Sequence, residues 1–72
     1  METQPRMSLE YDGFIQFRRM FDSHKFPMQR FGQAFYNHYN LHKVTNQSQF
    51  KNLYELHEPD AMKIIEELFD FT

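Results

Sequence analysis

Few side chains in this sequence are of kinds that do chemistry, and their spacing decides which chemistry is open to them. There are four histidines, and His38 and His42 stand four residues apart. A helix continuing through both would place two imidazoles on one face, as a metal site requires. His24 and His57 are the only imidazoles left to complete such a set. No cysteine is available, no carboxylate lies at supporting spacing, and the stretch around residues 40–41 reads as a helix end. The histidines are therefore assigned to helix ends, where imidazoles meet terminal carbonyls and the macrodipole, and no metal is expected. Glu55-Leu56-His57-Glu58 gathers two acids and an imidazole, a grouping too common in helical chains to signal catalysis. Gly13 and Gly32 are isolated, so no glycine loop cradles a phosphate. A chain of 72 residues also has little volume in which to enclose a dry pocket. The expectation is a protein that is not an enzyme and takes no cofactor.

Binding chemistry is better supplied. Arg18, Arg19, Lys25, Arg30, Lys43 and Lys51 fall between residues 18 and 54 with Asp22 as the single acid there. From Glu55 onward there are six acids and one base, Lys63, within a net charge of −2. Basic residues neutralise phosphates and amides read adenine, so nucleic acid is one reading of the middle segment. The second and third helices described below would then form a helix-turn-helix. Against it, the would-be recognition helix carries one base, Lys51, and the whole chain is acidic, unlike a typical nucleic-acid binder. The plainer alternative is that both charged regions are solvated or pair with each other. A protein partner is preferred, because a basic middle beside an acidic end steers association with a matching charge pattern.

These groups need elements to hold them, and apolar periodicity suggests four short helices in one all-α domain over residues 8–72, after a flexible arm at 1–7. Ser8 is placed to cap a first helix from about Leu9 to Asp22, with Tyr11, Phe14, Phe17 and Phe21 in one stripe. Pro27 suits the first position of a second helix reaching Asn40. Its apolar face is Met28, Phe31, Gly32, Phe35 and Tyr39; Arg30, Gln33 and Asn37 lie opposite, with Tyr36 at the shoulder. Glycine on that apolar face implies close approach by another helix or a large ring. Asn46 and Gln49 have capping-box spacing for a third helix to about His57, with Phe50, Leu53, Tyr54 and His57 inward. Pro59 opens a fourth, to about Asp70, whose apolar side is Ala61, Met62, Ile64, Ile65, Leu68 and Phe69. Phe31, Phe35, Leu53, Ile65 and Leu68 are the expected core. The opening residues METQPRMSLEY lack a signal-peptide core and no run is long enough to span a bilayer, so a cytoplasmic protein with no membrane partner is expected.

One further pattern runs from Arg30 to Phe69. Arg30-Phe31-Gly32-Gln33-Ala34-Phe35 is followed by Asn37, then Asn52-Leu53-Tyr54, an acidic break at Glu58 and Asp60, Ala61, and Ile64-Ile65. This resembles short proteins encoded by phages, prophages and other mobile elements. The resemblance carries no catalytic residue or ligand; it implies a small accessory protein that binds a larger host or phage protein. The expected contact residues are Arg30, Gln33, Tyr36 and Asn37, since Arg and Tyr are frequent energetic centres of interfaces. Glu66, Glu67 and Asp70, acids that run against the macrodipole at the end of the last helix, form a second candidate surface, and a homodimer is a further possible partner.

Overall fold

The aromatic stripes fold as their spacing implies, into helices around a ring-filled core. A computed structural model describes residues 7–45, 47–50 and 52–72. Helix α1 is Tyr11–Asp22, α2 is Phe31–His38 and α3 is Glu58–Leu68. Short 3-10 turns at Leu41–Lys43, Gln47–Phe50 and Leu53–Glu55 join α2 to α3. The α2 helix is central: α1, α3 and the Leu53–Glu55 turn all pack against it. Phe14 and Phe17 of α1, Phe31, Ala34 and Phe35 of α2, Leu53, and Ala61 and Ile65 of α3 are buried together. Phe17 meets Phe31 and Phe35 edge-on, with centroids 5.4 and 5.6 Å apart. Pairs of this geometry contribute about 0.5–1.5 kcal/mol beyond their buried area, which matters in so small a domain. Of the expected core residues Leu68 alone is only half-buried.

The fold is mostly helical but not purely α. Met7–Leu9 forms strand β1 and Phe69–Phe71 forms β2, paired in parallel with Met7 opposite Phe69 and Leu9 opposite Phe71. The Thr72 amide donates to the Leu9 carbonyl and the Tyr11 amide to the Thr72 carbonyl, locking the start of α1 to the end of the chain. Ser8 is therefore a strand residue, not a helix cap, and Glu10 occupies the N-cap position of α1. Phe69-Asp70-Phe71 alternates buried, exposed, half-buried, the two-residue period of a strand. The fourth helix accordingly stops at Leu68, and Asp70 lies in β2.

Two other helix expectations are corrected. The second helix starts at Phe31 rather than Pro27, and the third is replaced by the 3-10 turns Gln47–Phe50 and Leu53–Glu55. Asn46, the expected cap, lies outside the described residues. The backbone of residues 53–56 comes close to α2. The Gly32 amide donates to the Leu56 carbonyl at 3.0 Å, while Leu56 itself donates to Leu53 at 3.1 Å. A Cβ on residue 32 would stand 1.8 Å from the Leu53 oxygen. Glycine is thus required at residue 32, and what comes close to it is backbone rather than a helix face or a ring. The Leu56 carbonyl, which falls in the last turn of the expected helix and would have no partner inside it, accepts from the Gly32 amide instead.

Candidate functional site

The segment joining α1 to α2 has the least relaxed backbone among the described residues. Helix α1 ends with His24 at φ 63°, its amide donating to Phe21 while the Lys25 amide donates to Met20. Those two bonds define a Schellman motif, whose left-handed position normally belongs to glycine. Next, Gln29 donates to the Phe26 carbonyl across Pro27-Met28, with Met28 at φ 64°. Proline fixes a negative φ at the second position, so positive φ at the third makes this a type II turn, which again favours glycine. Each L-residue held left-handed costs roughly 1–2 kcal/mol. Pro27 therefore builds a turn instead of starting a helix, and α2 begins four residues later at Phe31, with Arg30 extended at its N-cap.

That turn carries an open hollow. Phe21 at the end of α1, the Met28–Phe31 stretch and His57–Pro59 at the start of α3 surround about 600 Å³. A second hollow of about 320 Å³, lined by Asp22, His24, Phe26 and Pro27, adjoins it across Phe21, Met28 and Gln29. Met28 is 102% exposed, so its thioether has no intramolecular packing to account for its placement. Beside it the Gln29 Oε1 is sealed from solvent without a hydrogen-bond donor. Phe31 forms an apolar floor, itself 1% exposed. On the far wall Glu58 is paired with Arg18, joining α1 to the start of α3. Arg30 and Lys25 are exposed and make no ion pair among the described residues.

The expected contact residues are distributed differently. Arg30 lines the larger hollow and Asn37 is exposed on α2. Gln33 donates to the Tyr54 hydroxyl at 3.0 Å, and the Tyr36 hydroxyl donates to Gln47 at 2.6 Å. The Tyr36 ring also meets Phe50 and Tyr54 edge-on. The 47–55 segment thus folds over Gln33 and Tyr36, and the four residues do not form one outward face. Glu66 and Glu67 are exposed on α3, and Asp70 is exposed on β2. Gln47 also donates its amide to the Leu41 and Val44 carbonyls, which braces the covering segment.

Among the basic residues, Arg18 is committed to Glu58, and Lys51 lies outside the described residues. Among the described residues, the stretch expected as a third helix forms 3-10 turns at Gln47–Phe50 and Leu53–Glu55, so the second helix of a helix-turn-helix is not present there. His38 packs its ring against Phe17 and Tyr39, centroids 5.2 and 4.9 Å away, while His42 belongs to the turn after α2. No three His, Asp or Glu side chains among the described residues gather to hold a metal ion. Burial, and then the Glu10 carboxylate, push the Tyr39 phenol above its ordinary value. Its hydroxyl is buried without a partner.

Phe21, Met28, Gln29, His57, Glu58 and Pro59 line the hollow and were not among the expected site residues. A local signal existed for part of it. The residue before a proline is steered away from helical backbone, so Phe26-Pro27 argues for a turn as well as for a helix start. No family model, curated protein or solved structure matches the chain. No helix among the described residues is long and apolar enough to cross a membrane.

Proposed function

We propose that this chain is a small, non-enzymatic protein-binding module, which docks its partner at the hollow between the Met28 turn and the start of α3. In the mobile-element setting that its resemblance implies, the partner is a host or phage protein met in the cytoplasm. The observation that carries the reading is Met28: a fully exposed thioether on a strained turn at the lip of a hollow of mixed apolar and polar lining. Strained backbone persists where surrounding structure or function demands it, and adaptable methionine is well suited to lining a partner contact. Arg30 belongs to this surface, and Asn37 extends it along α2. Gln33 and Tyr36 instead hold the 47–55 segment that supports α2.

The test compares the wild-type chain with Met28→Asn and Arg30→Glu in tagged capture from nuclease-treated host extract. Asparagine tolerates positive φ, so the turn should survive while its apolar tip is lost. Each variant should retain the parent melting temperature within the error of a surface change, about 0.5 kcal/mol. Recovery of the partner should fall at least tenfold in each, about 1.4 kcal/mol. Unchanged recovery of the same protein by both variants would refute the location. Capture abolished by nuclease would favour nucleic acid over protein.

A further inference from the structure

Resting on the protein-binding reading, we infer that the hollow takes an acidic peptide segment with a single large apolar anchor. Three features of the site select that chemistry. Phe21, Phe31 and Pro59 give the larger hollow an apolar lining, and Met28 stands fully exposed at its lip, able to fold over an inserted side chain. The volume suits one leucine-sized or aromatic anchor with its neighbouring backbone. Of the charged side chains that line the larger hollow itself, the one left without an ion pair among the described residues is positive. Arg30 on the rim and Lys25 in the same connecting segment have no ion pair among the described residues, whereas Glu58 on the opposite wall is neutralised by Arg18. Carboxylates flanking the anchor would therefore meet Arg30 directly, and arginine is the base best shaped to grip a carboxylate through paired N–H donors.

The remaining charges argue against a nucleic acid in the same place. Asp22 lines the adjoining hollow and Asp60 is exposed in the first turn of α3, and both would repel a continuous phosphate chain. A peptide can place its carboxylates at Arg30 and avoid those positions. What the site accepts is a side chain inserted from above, with charge only at its rim.

The experiment is selection of a random-peptide display library on the immobilised full chain, followed by fluorescence polarisation with the enriched peptides and with a labelled oligothymidylate. The expected peptides place Asp or Glu on either side of a leucine or aromatic residue. Changing that anchor to alanine should weaken binding at least tenfold, and so should Arg30→Glu in the protein. A peptide with Lys in place of its acids should regain at least part of the affinity for Arg30→Glu, because the charges are then exchanged. Circular dichroism verifies that each variant is folded. Enriched peptides that are neutral or basic, lose affinity on Met28→Asn and ignore Arg30→Glu would overturn the acidic assignment while leaving the hollow as the docking place. Binding that is insensitive to both substitutions would overturn the docking place as well. No enrichment, or tighter binding of oligothymidylate than of any peptide, would overturn both.

Discussion

Replacing Gly32 with alanine tests the packing of this fold through the sign of one measurement. Helix propensity alone predicts stabilisation, because alanine in a helix is favoured over glycine by up to about 1 kcal/mol. The structure predicts the opposite. The new Cβ would lie 1.8 Å from the Leu53 oxygen, 2.9 Å from the Leu53 carbonyl carbon and 3.1 Å from the Leu56 oxygen. All three are backbone atoms, so no side chain can rotate away. Ordinary contact begins near 3.4 Å, and 3.4 − 1.8 leaves 1.6 Å by which α2 and the 53–56 segment must separate. Overpacking of this kind costs about 1–3 kcal/mol. The separation also breaks the 3.0 Å bond from the Gly32 amide to Leu56. Leaving those buried groups unpaired costs a further 1–3 kcal/mol or so. Against the small propensity gain, the net loss is about 1–5 kcal/mol, a large part of the roughly 5 kcal/mol that holds a small domain together. Urea denaturation followed by circular dichroism measures it directly. Gly13→Ala is the internal control: its Cβ would meet nothing closer than the Glu10 Oε1 at 3.6 Å, so it should be neutral or stabilising. If Gly32→Ala is as stable as the parent, or gains as Gly13→Ala does, the close approach of Leu53 and Leu56 to α2 is wrong.

Other perturbations read other parts of the molecule. His24→Gly should raise stability by about 0.5–1 kcal/mol, because relief of the left-handed strain outweighs the extra freedom of unfolded glycine, and a lowered melting temperature would contradict the Schellman geometry. Tyr39→Phe removes a buried hydroxyl that has no partner, so thermal melts at pH 7 should show no loss and a gain of up to about 1 kcal/mol. The folded phenol titrates above its unfolded value, so its contribution is complete below pH 10.0 and is lost as pH rises above it. The parent should accordingly lose stability faster than Tyr39→Phe above that pH; parallel profiles would remove the assigned shift. Phe35 is 0% exposed and touches Phe14, Phe17, Tyr39 and Phe69, so Phe35→Ala should cost about 3–5 kcal/mol and leave most of the chain unfolded by circular dichroism.

Several buried positions were legible because helix periodicity needs only near neighbours. Phe14 and Phe17, Phe31 and Phe35, and Ala61 and Ile65 fall three or four apart, and each pair enters the core from one helix. Gly32 was legible in the same way, as a small residue on an apolar face. The composition alone excluded a disulfide or thiolate chemistry, since there is no cysteine. Tertiary structure decided the rest wherever a residue's partner is distant in the chain. Phe69 fits the apolar side of a helix equally well, and only pairing with Met7 selects β2. The 47–55 segment satisfies a helical pattern, but its side chains cover Gln33 and Tyr36, and the Leu56 carbonyl just after it accepts from the Gly32 amide of α2. Met28 shows the limit most clearly. Its spacing to Phe31 and Phe35 marks it as a core residue, yet the proline before it starts a turn and leaves it wholly exposed. Periodicity specifies which residues could share a face, whereas burial depends on whether the backbone between them is helical, and at Met28 it is not.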